Sequence, residues 1–257
     1  MAVEIDLNCD MGESFGIFKI GNDEEMMKHV TSISVAGGLH AGDPHVMRKT
    51  VALAKKYGVA VGAHPGYPDL IGFGRRKLEV TPEEAKDYIL YQVGALKAFC
   101  EAAGVDLQHV KPHGQLYNMA WKDEALARGI LEALRTIKPE PIFLALYNTL
   151  PYEMAKAMGI RVAGEIYADL DYAPDGTTFI KKVHGEVDLA ATVAKVSRIV
   201  LEGKVTASDG TEIETRGTSI CFHGDNPKGP EIVRAVKKDL EGKGINMLPL
   251  RLHSWTH

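Results

Sequence analysis

The feature that most constrains the fold of this chain is a short apolar run with a charged or imidazole side chain just after it, a pairing that recurs along the sequence. In a parallel sheet the carboxyl ends of the strands lie on one side, so such residues converge from distant parts of the chain. The pattern therefore predicts strands that deliver polar side chains to a shared pocket. The five runs cover residues 5–8 before Asp10, 33–35 before His40, 59–61 before His64, 109–110 before Lys111 and His113, and 220–222 before His223 and Asp225.

Helical patterns separate these apolar runs. Asp43 followed by Pro44 is typical of a helix start, and Thr81 with Glu84 has the spacing of a capping box. Counted along the whole chain, the alternation gives seven or eight mainly parallel strands joined by helices. We therefore predict the α/β fold class, with residues 1–257 forming one closed or incomplete (β/α)-barrel catalytic domain and a small β-hairpin at residues 204–214.

The composition is that of an ordinary globular protein. The 257 residues are 45% hydrophobic and 25% charged, with a formal net charge of -4. This charge gives no general attraction to nucleic acid or anionic membranes, and the sequence contains no apolar stretch of transmembrane length and no signal-peptide pattern. We expect a cytoplasmic protein that acts on a small-molecule substrate, with no nucleic-acid or membrane partner.

The three cysteines are far apart in sequence and form no C-x-x-C pair. This usage fits a reducing compartment better than a disulfide scaffold. Cys9 and Cys221 lie close to predicted strand ends, which leaves a catalytic thiol open as an alternative to a buried structural role.

The predicted strand ends carry the side chains that acid–base catalysis uses. Paired carboxylates near imidazoles act as a general base and its orienting partner, and a lysine can stabilise a developing oxyanion. Asp10 and Glu13 lie in a glycine-rich first loop, and four histidines occupy equivalent positions after four of the runs. The residues that we predict to be catalytic are Asp10, Glu13, His64, Lys111, His113 and His223.

A second set of residues is suited to binding an anionic group. His40 and His223 each precede a glycine and an aspartate near a predicted helix start, where free N–H groups favour an anion. Alternatively, the two aspartates serve only as helix caps. The glycine-rich and proline-rich loop 64–76 contains two adjacent arginines that can clamp a carboxylate or phosphate, although only one is expected to point inward. The predicted substrate-binding or anion-binding residues are His40, Asp43, Arg75, Arg76 and Asp225.

Several common cofactor motifs are absent from the sequence. It contains no H-E-x-x-H motif and no cysteine cluster, so a divalent metal site would have to be assembled from separate strands. It also contains no G-x-x-x-x-G-K-[ST] phosphate loop, no G-x-G-x-x-G after the first strand and no G-x-S-x-G elbow. A metal therefore stays possible, and any ATP must be handled by other means.

Taken together, the motifs resemble those of the LamB/YcsF family, whose characterised role is that of the A-subunit of the bacterial-type 5-oxoprolinase. The resemblance implies a distorted barrel related to the glycoside hydrolase and deacetylase folds. It also implies ATP-dependent opening of 5-oxoproline to L-glutamate, carried out with partner subunits B and C. The motifs occur in order over nearly the whole chain, in residues 7–16, 40–44, 64–76, 91–96, 110–118 and 220–225.

The chain departs from the pattern of this family at a few positions. Ser34 and Gly37 stand where relatives commonly have asparagine and cysteine, and residues 184–186 replace a Pro-Gly-Ala segment. In a segment that otherwise matches, Asp169 is kept as a predicted anion-binding residue, but Leu170 replaces an arginine. Loss of a bidentate anion donor bears on substrate identity more than on fold or reaction class.

These residues support a hypothesis for the mechanism. Asp10, assisted by His64 or His113, deprotonates water, while Lys111 stabilises the oxyanion and the partner subunits supply the ATP chemistry. Two alternatives stay open at this point. One is a metal-dependent hydrolase of C–N bonds that needs no ATP, and the other is a non-catalytic subunit that binds substrate for a partner enzyme.

Overall fold

Seven parallel strands close into a barrel, and helices connect consecutive barrel strands. The computed structural model describes residues 3–179 and 187–255, so the sequence departure at residues 184–186 lies outside the described residues. The barrel strands are β1 (Glu4–Met11), β2 (Ser32–Ala36), β3 (Ala60–His64), β4 (Leu107–Val110), β5 (Ile142–Leu146), β6 (Val162–Tyr167) and, after the hairpin strands β7 (Lys204–Thr206) and β8 (Glu212–Glu214), β9 (Ser219–His223). The helices are α1 (Asp23–Met27), α2 (Pro44–Tyr57), α3 (Pro82–Ala103), α4 (Gly114–Ala120), α5 (Glu124–Thr136), α6 (Leu150–Ala157), α7 (Leu189–Glu202) and α8 (Gly229–Gly242).

Strand β1 closes the barrel because it pairs in parallel with β2 on one side and β9 on the other. Asp10 is therefore in register with Ser34 of one neighbour and His223 of the other. A short strand β10 (Asn246–Met247) pairs with the start of β1, and a 3₁₀ turn (Leu250–Leu252) follows it. Since all seven barrel strands run the same way, their carboxyl ends form one rim, where the polar residues of the sequence pattern lie.

The two faces of β1 explain why this strand is buried throughout but only half apolar. Ile5, Leu7, Cys9 and Met11 belong to the main hydrophobic core. The alternate residues Asp6, Asn8 and Asp10 project into the barrel, where their side chains contact strands on other sides. Successive side chains of a strand point to opposite faces, so one strand supplies both the core and the polar interior.

The predicted barrel and hairpin are confirmed. Asp43 caps α2, and Thr81 and Glu84 form the predicted capping box at the start of α3. Two details differ. Helix α4 was not predicted. The sequence also predicts the start of the last helix at Pro227, but α8 begins at Gly229, because the Asn226 carboxamide oxygen accepts a hydrogen bond from Lys228 N and forms a turn there. No helix within the described ranges is long and apolar enough to cross a membrane.

Candidate active site

A small pocket opens at the carboxyl ends of the barrel strands, with a cavity volume of about 60 Å³. The structure brings residues from five loops or strand ends to this pocket, as the sequence pattern predicts. Side chains that were not predicted, Tyr117, Asn118, Tyr167, Leu170 and Thr178, complete its lining. The predicted residues that line it are Asp10, Glu13, His64, Arg75, Lys111, His113 and His223.

One side of the pocket is organised by Lys111, and we call Asn8, Asp10, Lys111, Glu165 and Cys221 the lysine side. The Lys111 Nζ atom lies 2.6 Å from Asp10 Oδ1, 3.1 Å from Glu165 Oε1, 3.1 Å from Cys221 Sγ and 3.4 Å from Asn8 Oδ1. Burial lowers the pKa of Lys111, but the neighbouring acidic groups, with Asp10 first, raise it well above its ordinary value. The lysine therefore stays charged and acts as a hydrogen-bond donor, not as a base.

Asp10 links this cluster to the imidazoles. Its Oδ2 lies 3.3 Å from His64 Nε2, on the opposite side from Lys111. Burial raises the pKa of Asp10, but the charges of His64 and Lys111 and the hydrogen bond to His64 lower it well below its ordinary value. The pocket thus contains an ionised carboxylate that is almost completely shielded from solvent, with an exposed fraction of 4%.

His223 is held at the rim by Asp169, a predicted residue that lies just behind the pocket lining. His223 Nδ1 is 2.8 Å from Asp169 Oδ1, and the His223 ring stacks on Tyr167 with centroids 5.9 Å apart. Burial lowers the pKa of His223, but the charge of Asp169, the hydrogen bond to it and the charge of Asp10 raise the pKa to about 9. His223 is therefore a cation at neutral pH.

The opposite side of the pocket carries Glu13, His64 and His113, and the predicted residue His40 stacks on His113 without being among the described pocket-lining residues; we call these four the histidine side. The rings of His40 and His113 stack with centroids 3.8 Å apart and planes 6° apart. His113 Nδ1 lies 2.9 Å from His64 Nε2, while the remaining nitrogen of each ring contacts a backbone carbonyl. Burial lowers the pKa of His40 and of His113 well below the usual range, with contributions from the neighbouring imidazoles.

Glu13 reaches this cluster because the chain turns sharply after β1. Gly12 has a φ of 70°, and its N–H donates to Asp23 Oδ2 at 2.9 Å. A side chain at Gly12 would also lie 3.1 Å from Thr50 Oγ1, so glycine suits this turn. Burial and the nearby charges of Asp10 and Asp225 raise the pKa of Glu13 well above its ordinary value.

The predicted anion-binding residues lie in different places. Arg75 lines the pocket mouth, with Nη2 3.2 Å from Asp225 Oδ2 and its guanidinium over the Phe73 ring. Arg76 is instead paired with the buried Asp69 and exposes 60% of its side chain. The adjacent arginines thus face different ways, as expected, and Arg76 is not among the described pocket-lining residues.

Asp43 is also outside the described pocket lining. Its carboxylate accepts hydrogen bonds from the N–H groups of His45, Val46 and Gly16, so the start of α2 is already occupied by its own cap. Asp225 lies before α8 and does not cap it. Asp43 therefore fits the alternative interpretation of a helix cap, whereas Asp225 is not a cap and pairs with Arg75 instead.

Sequence reasoning missed the residues in the barrel interior that hold Lys111. Asn8 Nδ2 donates to Glu165 Oε1 at 3.1 Å and to Ser219 Oγ at 2.8 Å, which links β1 to β6 past the intervening strand β9. A glutamate in the middle of an apolar strand, such as Glu165, is a sequence signal for a buried ionic partner. The thiol alternative loses support, because burial raises the pKa of Cys9 and of Cys221 well above the ordinary value and disfavours a thiolate.

The departures from the family pattern also lie at or near the pocket. Leu170 lines it directly. Ser34 Oγ lies 3.1 Å from His109 Nε2 inside the barrel. Gly37 packs against Gln92 so closely that a Cβ atom there would lie 2.6 Å from Gln92 Cβ. The Gln92 side chain thus occupies the space next to position 37 in this chain.

Comparisons with known proteins agree with this fold. A 5-oxoprolinase A-subunit from Thermococcus onnurineus is 54% identical over 250 residues, which cover 96% of this chain and 98% of that protein. The crystal structure of a lactam utilization protein from Thermus thermophilus matches with a TM-score of 0.88 and 42% identity, over 96% of this chain and 99% of that one.

A polysaccharide deacetylase of Bacillus cereus shares the fold, with a TM-score of 0.50 and 14% identity over 98% of this chain and 95% of that one. This likeness agrees with the predicted barrel fold. The sequence also matches the profile of the LamB/YcsF family over residues 5–254. The chain therefore belongs to the LamB/YcsF family.

Proposed function

We propose that this chain is the A-subunit of an ATP-dependent 5-oxoprolinase, which opens the lactam of 5-oxoproline to L-glutamate together with partner subunits B and C. Family membership and the name of its relative support this proposal. The observation that carries it is the buried Asp10 carboxylate, held between Lys111 Nζ and His64 Nε2 at the pocket floor. Amide hydrolysis needs both a proton acceptor and a donor to the oxyanion, and this arrangement supplies them.

In the proposed mechanism, water attacks the lactam carbonyl carbon, and its proton passes to the Asp10–His64 pair. The carbonyl oxygen becomes an oxyanion that Lys111 stabilises as a hydrogen-bond donor, because its neighbours keep it protonated. The C–N bond then breaks, and the ring nitrogen takes up a proton to become the amine of glutamate. The Asp10–His64 pair can return that proton, which leaves the enzyme in its starting state.

The substrate carboxylate is assigned to Arg75 at the pocket mouth. A guanidinium has five N–H donors, so Arg75 can keep a bond to Asp225 while it binds a second carboxylate. His223 adds a second positive charge on the same rim. Together these cations favour a lactam that carries a carboxylate, as 5-oxoproline does, over a lactam without one.

The ATP chemistry is assigned to the partner subunits. Ligand pockets for drug-sized molecules measure about 300–1,000 Å³. The cavity here measures about 60 Å³, which suits a small ring better than a nucleotide. The sequence also lacks a phosphate loop.

The decisive experiment measures glutamate release from 5-oxoproline by the purified chain mixed with subunits B and C, with and without ATP. We expect turnover only in the complete mixture with ATP. Asp10→Asn and His64→Ala should each lower the rate by about 100-fold or more, because the mechanism assigns the acid–base step to this pair. Asp106→Asn and His45→Ala, at exposed positions, are the matched controls. Normal turnover in Asp10→Asn would remove the assigned role of Asp10.

The alternative of an ATP-independent, metal-dependent C–N hydrolase is favoured by one observation, the close grouping of Glu13, His40, His64 and His113. Turnover by the isolated chain without ATP, lost after chelation and restored by a divalent metal, would support it. If the chain is instead a non-catalytic binding subunit, pocket substitutions should lower turnover only as far as they weaken the binding of substrate or partners. Turnover that is abolished while both kinds of binding stay intact would contradict that alternative.

A further inference from the structure

We propose that Glu13, His40, His64 and His113 form a binding site for a divalent transition-metal ion of the zinc type. Each residue offers one ligand atom, and the four atoms all lie within 4.8 Å of one another. All four side chains are buried at the pocket, with exposed fractions from 0% to 5%. Such a set of three imidazoles and one carboxylate is the donor chemistry that zinc prefers.

The strongest argument comes from the proton positions on two rings. His64 Nδ1 lies 2.6 Å from the carbonyl oxygen of Lys111, and His113 Nε2 lies 2.7 Å from that of Phe73. A carbonyl oxygen only accepts hydrogen bonds, so each of these two nitrogens donates a proton to the backbone. The other nitrogens of the two rings, His64 Nε2 and His113 Nδ1, face each other 2.9 Å apart, so both rings are turned with these atoms toward one point.

A carboxylate also faces this point, because Asp10 Oδ2 lies 3.3 Å from His64 Nε2. Nitrogen ligands of one ion lie about 2.9 Å apart in octahedral and about 3.4 Å apart in tetrahedral coordination, given metal–nitrogen distances of about 2.0–2.1 Å. The observed separation of the two nitrogens is therefore compatible with a shared metal ion.

His40 gives a second, independent observation. Neither of its ring nitrogens has a hydrogen-bond partner among the described residues, although both atoms are buried. An unsatisfied buried polar group is costly and calls for a partner. The ring is fixed by its stacking on His113 and by Gly66, where a Cβ atom would lie 2.5 Å from His40 Nδ1. His40 is thus held in place beside the two facing nitrogens without a partner of its own.

The backbone contacts of His64 and His113 also match the surroundings of metal ligands. A histidine that binds a metal usually donates its other ring N–H to a carbonyl or carboxylate, which fixes the ring and its tautomer. When bound, such an ion polarises a carbonyl oxygen as a Lewis acid.

A second group of potential ligands, Asp10, Cys221 and His223, is less suitable. Lys111 Nζ already lies 2.6 Å from Asp10 and 3.1 Å from Cys221, and a lysine cation opposes a metal ion there. His223 is held by Asp169 through Nδ1. The histidine side is therefore the assigned site.

The test uses the full-length chain without a histidine tag, treated with a chelator and then freed of it. Co²⁺ is titrated into the protein and followed by its visible d–d absorption, and Zn²⁺ is then added as a competitor. We expect about one Co²⁺ per chain, displaced by Zn²⁺. Glu13→Gln, His40→Gln and His113→Gln should each weaken Co²⁺ binding by at least about tenfold.

Two further variants serve as controls for this titration. His45→Gln removes an exposed histidine, and His223→Asn removes a ligand of the other group, so both should keep the wild-type affinity. Circular dichroism of each metal-free variant shows whether it folds. If a histidine variant does not fold, Glu13→Gln still tests the site, because glutamine has nearly the same shape as glutamate. The proposal is overturned if the wild type binds no Co²⁺, in which case one proton shared by His64 and His113 separates their lone pairs. Unchanged affinity in Glu13→Gln, or loss only in His223→Asn, also overturns it.

This inference does not rest on the proposed reaction. Metal binding is measured on the isolated chain without 5-oxoproline, ATP or partner subunits. A negative titration therefore leaves the 5-oxoprolinase proposal standing, and failure of glutamate release in the reconstituted complex leaves a positive titration standing.

Discussion

The two sides of the pocket differ in whether a lysine cation organises them. On the lysine side, the Lys111 ammonium contacts two carboxylates, a thiol and an amide oxygen, although Glu165 Oε2 has no hydrogen-bond partner among the described residues. On the histidine side, two ring nitrogens face each other, and both ring nitrogens of His40 lack a partner among the described residues. A cluster that already contains an ammonium repels a metal ion, whereas a cluster of imidazoles is suited to binding one.

The largest effect should come from removal of the one cation of the lysine side. Lys111→Met leaves Asp10 and Glu165 buried without their shared counter-charge. Breaking a buried ion pair in this way costs about 3–5 kcal/mol of unfolding free energy. Glutamate release by the complex should also fall by about 100-fold or more, since an oxyanion donor is lost.

Urea unfolding of the isolated variant measures the first effect, and the reconstituted assay measures the second. Lys97→Met is the matched control, because Lys97 lies on the surface of α3 in an exposed pair with Glu101. It should change the free energy of unfolding by no more than about 0.5 kcal/mol. Wild-type stability of Lys111→Met would mean that the lysine side does not depend on charge matching.

A second prediction concerns the support of the histidine side. Gln92 accepts from Gly66 N–H at 2.9 Å and donates to Gly66 O at 2.8 Å, and Gly66 packs against His40. Gly37→Ala would place a Cβ atom 2.6 Å from Gln92 Cβ and force this support to move. Overpacking of this kind typically lowers the free energy of unfolding by about 1–3 kcal/mol.

Thermal and urea unfolding test this change, and the Co²⁺ titration tests whether it reaches His40. Gly94→Ala is the control, because Gly94 lies inside α3 with no atom within 4 Å of an added Cβ. The free energy of unfolding of that control should rise by about 0.5–1 kcal/mol, since alanine has a higher helix propensity than glycine. Equal stability of Gly37→Ala and the wild type would show that Gln92 has room to move.

The sequence allowed the rim to be predicted but not the contacts across the barrel. Polar residues follow the apolar runs in β1, β3 and β9, and parallel strands place those ends together, so the meeting of Asp10, His64 and His223 followed from local patterns. The pairing of Asn8 with Glu165 depends on which strands face each other after closure. No local pattern encodes that relation.

The same limit explains the outcome for the anion-binding residues. The aspartate–proline pair at Asp43 identified a helix start. Only the structure shows that the Asp43 carboxylate itself accepts hydrogen bonds from the N–H groups at that helix start. Likewise, adjacency of two arginines indicated that they diverge, but not which one turns inward. That choice depends on Asp69, which lies buried in the same loop.

A third prediction concerns how the stability contributed by His223, at the rim beside the lysine side, depends on pH. The pKa of His223 is raised to about 9 from an ordinary value near 6.5. A raised pKa in the folded state stabilises the protein fully below pH 6.5, and this contribution is lost as the pH rises through about 9. Asp169→Asn removes the charge that raises the pKa, so the His223 pKa should fall by at least about one unit, equivalent to about 1.4 kcal/mol.

An NMR titration of the His223 ring measures this shift directly. Urea unfolding should show the advantage of the wild type over Asp169→Asn to be largest below pH 6.5 and to shrink toward pH 9. Asp106→Asn, at an exposed position far along the chain, is the control for removal of a surface carboxylate. A His223 that titrates at the same pH in both proteins would contradict the role of Asp169.

The smallest effect is expected outside the pocket, at the second of the two adjacent arginines. Arg75→Met should raise the KM for 5-oxoproline by about tenfold or more, because a charge-assisted hydrogen bond to the substrate carboxylate is lost. Arg76→Met should leave kcat and KM within about twofold, because Arg76 is largely exposed and is directed toward Asp69 instead of the cavity. Steady-state kinetics of the reconstituted complex distinguish the two. If Arg76→Met raised KM as much as Arg75→Met, loop 64–76 would have to rearrange on substrate binding so that both guanidinium groups reach the carboxylate.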